Sequence, residues 1–158
     1  MKPFTVLSSV LCALLLTACS RMPLPQDNTT LNAAVTGKQY VFHATTANPA
    51  GGSPVRLSTG YDLVVSGDTV TATLPYYGRA YSADPDTGPI RFTTTNTRYT
   101  STADDNGWDI VIAPADVEGI QELRLALSGS GYGTLYVTST NRQAISFYGN
   151  ATAKEAGR

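Results

Sequence analysis

Cysteine is nearly absent from this chain. Cys12 and Cys19 are the only two among 158 residues, and both lie close to the start. From Ser20 onward there is no thiol, so that part forms no disulfide and no thiolate metal site. Histidine is scarcer still, with His43 alone. One imidazole without thiols does not make the usual zinc or copper ligand sets. Charge is thin as well. Eleven basic and 12 acidic residues are scattered along the chain without a basic run, which gives nucleic acid no footing. No G-x-S-x-G elbow occurs, and no glycine-rich loop leads into a helix to cradle a phosphate. The longest apolar stretch, Phe4 to Leu16, is about a dozen residues, short of the ~20 that a membrane-crossing helix needs.

That stretch has another use. Lys2 precedes it and Leu16-Thr17-Ala18-Cys19 ends it. A short positive region, an apolar core and small residues at a cut are the parts of a secretory signal. The last four residues resemble a bacterial lipobox, whose cysteine accepts a diacylglyceryl group and becomes the new N-terminus. Residues 1–18 are therefore expected to be a signal peptide, with Cys19 the lipidated residue. More than one acyl chain holds a protein firmly at a membrane, since each buried CH2 is worth ~0.8 kcal/mol. Ser20 in place of aspartate after the cysteine points, by resemblance to other bacterial lipoproteins, to the outer membrane. The lack of an acidic run in Ser20-Arg21-Met22-Pro23 favours its periplasmic face over the cell surface. Residues 19–30 read as a proline-containing tether.

From Lys38 onward the pattern is that of an all-β domain spanning residues 31–150. Thr, Val and Tyr are frequent, and Gly, Asn and Asp punctuate at short intervals. A short helix, begun by Asn28 or Thr29 and stopped at Gly37, is expected before it. In GYDLVVSGDTVTATL, a two-residue Gly67-Asp68 turn pairs Val65 with Val70, Leu63 with Ala72 and Tyr61 with Leu74. The other face pairs Ser66 with Thr69, Val64 with Thr71 and Asp62 with Thr73. One face is thus apolar, and a slip of one residue would destroy the match. Further on, a Ser130–Tyr132 loop predicts Leu127 opposite Leu135, and a Thr140–Arg142 loop predicts Val137 opposite Ile145 and Leu135 opposite Phe147. Segments 39–46, 90–94, 97–102 and 108–112 complete eight or nine antiparallel strands, mostly in sequence order. Such a sheet hides its edges by closing as an up-and-down barrel or folding into a two-sheet sandwich. Residues 151–158 are expected as a frayed tail.

The residues that carry chemistry are few. His43 lies mid-strand, in phase with Val41, and any Ser-His-Asp triad would have to use it. Asp84-Pro85-Asp86-Thr87-Gly88 has a D-x-D-x-G look but lacks the closing glutamate of a calcium loop. Asp104-Asp105 adjoin in a turn, unlike the separated carboxylates of a glycosidase. These patterns imply no metal, no cofactor and no enzyme. The run Leu74-Pro75-Tyr76-Tyr77-Gly78-Arg79-Ala80-Tyr81-Ser82 is different. Tyrosines offer flat amphipathic area and arginine a fork of donors, which suits recognition. The structural reading, which is the preferred one, makes the run a sheet corner where Arg79 stacks on a tyrosine and bonds nearby carbonyls.

The segment SGYDLVVSGDTVTATLPYYGRAYS, followed by GPIRF and closed by STNRQAISFYGNA, resembles the DUF4251 family of Bacteroidetes lipoproteins over about Lys38 to Asn150. The family mark is an aromatic pair, glycine and arginine after proline, here Tyr76-Tyr77-Gly78-Arg79, with Tyr77 where phenylalanine is common. The resemblance implies a lipoprotein with one domain, and points to Asn141, Arg142 and Gln143 as further defining positions. It implies no activity or catalytic residue. The expectation is a non-enzymatic envelope lipoprotein, held at the membrane by its lipid, that binds an envelope protein or small ligand. Tyr76, Tyr77, Gly78, Arg79, Tyr81, Asn141 and Arg142 are the candidate binding or structural residues. A lipocalin-like carrier of an apolar ligand and an envelope hydrolase are the alternatives.

Overall fold

The computed structural model describes residues 28–79, 81 and 88–154. Cys19, residues 19–27 of the expected tether and the stretch Asp84–Thr87 lie outside the described residues, while residues 28–30 belong to a helix and not to the tether. Helix α1 (Asn28–Thr36) is followed by ten strands. These are β1 (Gln39–Pro49), β2 (Val55–Arg56), β3 (Asp62–Ser66), β4 (Thr69–Leu74) and β5 (Ile90–Thr94), then β6 (Thr97–Asp104), β7 (Gly107–Pro114), β8 (Ile120–Ser128), β9 (Tyr132–Ser139) and β10 (Ile145–Ala153). All pairings are antiparallel, in the order β5-β4-β3-β1-β10-β9-β8-β7-β6, with the short β2 added to β1. Strands β5 and β6 are consecutive in the chain yet stand at opposite ends of this order. The sheet therefore curls right round into a nearly closed barrel, as the all-β reading anticipated.

The meander holds only in part. Strand β1 lies between β3 and β10, so the first long strand pairs with the last. The sequence reading placed the β1 segment at the start of the meander, because local patterning carries no information about a partner 100 residues away. Strand β10 also runs to Ala153, past the expected start of the tail at residue 151.

Alternation builds the core. Tyr40, Phe42, Leu63, Val65, Leu74, Ile110, Ile112, Leu123, Leu125, Leu135 and Phe147 all point inward and are fully buried. Each such side chain contributes about 1.5–3 kcal/mol by leaving water. The β3–β4 hairpin has the predicted register from Asp62–Thr73 to Ser66–Thr69. The Tyr61–Leu74 rung is not part of that ladder, because the Tyr61 carbonyl turns to β1 and accepts from the Ala44 N–H.

The β8–β9 hairpin differs by one step. Leu125 sits opposite Leu135 and Leu127 opposite Gly133, not Leu135. The loop is Gly129–Gly131, not Ser130–Tyr132, because Gly131 takes the left-handed φ of 84° that closes it. Its last N–H donates to the Ser128 carbonyl. The shift is two residues along the partner, so every side chain keeps its face. The β9–β10 register is as predicted, with Val137 opposite Ile145 and Leu135 opposite Phe147.

Helix α1 lays Leu31, Ala34 and Val35, spaced three and four apart, onto β1 and β10. Asn32 on its other side accepts a 2.9 Å hydrogen bond from the Trp108 indole of β7. Two contacts tie the β6 end of the sheet to the start of β1. The Tyr40 and Tyr99 hydroxyls meet at 3.3 Å across the interior, and the Lys38 amine lies 5.0 Å from the Tyr99 ring centre and 3.6 Å from Asp68. Burial pushes the Tyr40 phenol far above its ordinary pKa, so this hydroxyl stays protonated.

Candidate functional site

Strand β4 ends where Pro75 removes a ladder donor. The chain then turns across one end of the barrel towards the β9–β10 connection. Two backbone bonds fasten it there, from the Tyr81 N–H to the Asn141 carbonyl and from the Gln143 N–H to the Arg79 carbonyl, each 2.9 Å. This explains why the β9–β10 connection is wider than the predicted Thr140–Arg142 loop. Its backbone is turned outward to pair with the tyrosine run.

Tyr76 is the hub of the cluster. Its hydroxyl lies 2.9 Å from the Arg79 carbonyl and 3.0 Å from the Gln143 carbonyl, so its one proton is shared between two acceptors. Burial pushes the phenol's pKa up, which keeps it a donor. A Cβ at Gly78 would collide with the Tyr76 hydroxyl, so the motif glycine makes room for the motif tyrosine. Over the ring sits the guanidinium of Arg142, 5.0 Å from the centroid. Arg142 is only 7% exposed and donates through Nη1 to the Gly88 carbonyl at 3.0 Å.

Of the expected residues, Tyr76, Gly78, Asn141 and Arg142 come together. Tyr77 and Arg79 are exposed, and Tyr81 is 71% exposed. The sequence reading assigned the stacking arginine to position 79. Arg142 takes that place, because the Gly78 turn sends the Arg79 carbonyl inward and its side chain out. A cleft of about 320 Å3 opens beside this cluster, between β5 and the β7–β8 connection, lined by Ile90, Phe92, Asp116, Glu118 and Arg142.

His43 belongs to a second arrangement. Its Nδ1 is 2.7 Å from Asp62 and its Nε2 is 3.2 Å from the Thr152 hydroxyl. The order carboxylate, imidazole, hydroxyl is that of a hydrolase triad. Its setting differs. The three residues lie side by side on the outer face of β3, β1 and β10, and Thr152 sits within the ladder opposite Val41, one rung from its end. Among the described residues no loop aims free N–H groups at an oxyanion that would develop there. The arrangement works as a cross-strand ladder in which His43 bridges the Asp62 carboxylate and the Thr152 hydroxyl. Among the described residues no group of three His, Cys, Asp or Glu side chains is placed to hold a metal ion.

A third feature went unnoticed in the sequence. Tyr132 and Tyr136 on β9 and Tyr148 on β10 share the outer face, each about half exposed. The Tyr132 and Tyr148 rings stand parallel, with centroids 6.3 Å apart. On either side of Tyr136 the surface dips, towards Arg124 and Glu122 on one side and towards Asn48 and Ala50 on the other. Their phase was legible. All three alternate with core residues, and the β9–β10 register sets Tyr148 beside the other two.

By fold this is a nearly closed antiparallel barrel capped by one helix. It is similar to the crystal structure of a DUF4251 family protein from Bacteroides eggerthii, with a TM-score of 0.60 and 15% identity over 80% of this chain and 87% of that one. Residues 25–151 match the family model DUF4251, a domain of unknown function, and the chain belongs to that family. No curated protein matches it.

Proposed function

We propose that this protein is a non-enzymatic lipoprotein of the cell envelope, anchored through Cys19 at the periplasmic face of the outer membrane, whose barrel is a binding module for an envelope component. The observation that carries the binding reading is the outer face of β9 and β10. Three tyrosines stand there half exposed, flanked by shallow dips, on a rigid sheet. Exposed aromatic side chains that can surrender water over a large area at little entropic cost are typical anchors of recognition. The filled interior supports a surface binder over a carrier. The inward positions hold Tyr40, Phe42, Phe147 and a run of leucines and isoleucines with no exposure.

A photo-reactive phenylalanine analogue at position 136 of the full chain tests this in cells. It is expected to give a discrete adduct that is lost when Tyr132 and Tyr148 become serine. The same adduct from position 71, elsewhere on the outer face, would sink the reading. The anchor is tested separately. Labelled palmitate is expected in the wild-type protein and absent from Cys19→Ala, and a labelled variant overturns it.

A further inference from the structure

The sheet has two ends, and they are unequal. Strand β5 is short, five residues, and carries Arg91. Strand β6 is eight residues long, and from Thr100 to Asp104 every residue is exposed, on both faces. It has no proline and no bulge, and its inward positions Tyr99, Ser101 and Ala103 bear no charge. Those are the devices that normally keep an edge from pairing.

The backbone phase of this edge follows from the neighbouring ladder. The Ala115 N–H donates to the Asn96 carbonyl, one step beyond the Thr97–Pro114 rung. Even-numbered residues of β6 therefore bond to β7, which also suits Pro114, since it faces Thr97 in a rung that needs no N–H. The N–H and C=O groups of Thr97, Tyr99, Ser101 and Ala103 point away from the sheet.

We propose that β6 pairs with β6 of a second copy of this chain, antiparallel, about a two-fold axis through Ser101. In that register Ser101 faces Ser101, and Tyr99 faces Ala103 of the other copy. These are the residues whose backbone groups pair with no other described strand, so each rung exchanges both its bonds. On the outer face Thr100 falls opposite Thr102 and Arg98 opposite Asp104, twice by symmetry. Both are close rungs without backbone bonds, where opposite charges and paired hydroxyls attract. Moving the axis by one residue places Arg98 opposite Thr102 or Asn106 and loses both ion pairs. Charge complementarity thus selects the partner, which is the strand itself, and a single register. Small side chains at Ser101 and Ala103 let the inner faces meet. The two sheets become one, with both tyrosine faces on the same side.

Native mass spectrometry of the full chain, released from detergent, reads this directly. A dimer is expected for the wild type. Arg98→Asp sets like charges opposite each other in two rungs and is expected to weaken the dimer by about tenfold or more. Restoring complementarity with Arg98→Asp/Asp104→Arg is expected to bring it back. Asp104 also accepts the Asn106 N–H at 2.8 Å, so its replacement can loosen the hairpin. Ser101→Pro provides an independent check. It removes only an outward N–H, which an edge strand tolerates, and is expected to give a monomer with an unchanged circular dichroism spectrum. A wild-type monomer at about 0.1 mM, or a dimer indifferent to both Arg98→Asp and Ser101→Pro, overturns the proposal.

Discussion

At the mouth of the barrel Tyr76 lies beneath Arg142 with its hydroxyl between two carbonyls. On the outer face of β9 and β10, Tyr132, Tyr136 and Tyr148 stand half in water, with no hydroxyl bond to another described residue. Both regions put tyrosine beside arginine, since Arg124 borders Tyr136. In the first, the Tyr76 hydroxyl and the Arg142 guanidinium find their partners within the chain, and they hold a corner of the sheet together. In the second, nothing inside the protein requires the rings. A tyrosine that satisfies its own fold has little left to offer a partner, so Tyr76 and Arg142 serve the architecture, and the proposed recognition surface is on the outer face instead.

The comparison can be broken most directly at Arg142. Arg142→Ala leaves the Gly88 carbonyl without its charged donor and uncovers the Tyr76 ring. It is expected to cost about 3 kcal/mol, read as a fall of about 10 °C in melting temperature. Tyr76→Phe removes only the shared hydroxyl, taking a donor from the Gln143 carbonyl while the Arg79 carbonyl keeps the Gln143 N–H. Urea denaturation should show a loss of about 1 kcal/mol. Tyr136→Ser should change stability by less than about 0.5 kcal/mol while removing the position-136 binding. If it destabilised as much as Tyr76→Phe, the two regions would not differ in kind.

The smallest effect sharpens the outer face further. Arg124 donates twice to Asp109, at 2.9 and 2.6 Å, and this bonding holds the Asp109 carboxyl below its usual pKa. A depressed carboxylate adds stability above its unfolded pKa, near 3.9, and loses it as pH falls through the folded value. Both side chains are well exposed, so solvent screening leaves the contribution slight. Chemical denaturation of wild type and Arg124→Ala should therefore differ a little at pH 6 and converge as pH falls below about 3. A difference that grows on acidification would remove this reading.

Much of the barrel could be read before it was seen. Hairpins whose two strands lie within one window expose their register through alternation alone, and β3–β4 and β9–β10 were placed rung by rung. The β8–β9 error came from backbone conformation. Several residues near the turn could close it, and only the left-handed φ of Gly131 decides. The insertion of β1 between β3 and β10 was illegible for another reason. Tyr40 and Ala153 pair because their faces complete a core, and no local pattern announces it. At the site, Tyr76, Gly78 and Arg142 were singled out, but Arg142 and Arg79 exchanged roles. Which of two arginines is buried depends on a contact between segments more than 60 residues apart.

That pairing of first strand with last has a consequence for how the chain comes to be folded. Strand β1 is wedged between β3 and β10, and His43 bonds to Thr152 across 109 positions of sequence. A nascent chain delivers its beginning long before its end. Until Ile145–Ala153 arrives, β1 lacks one neighbour and the Tyr40 and Phe42 side chains lack the Phe147 and Ala151 surface that buries them. Closing so long a loop is slow and happens late. The core around Tyr40 and Phe42 is therefore complete only once β10 has been delivered. In the interval its sticky half-sheet must be kept apart from others of its kind.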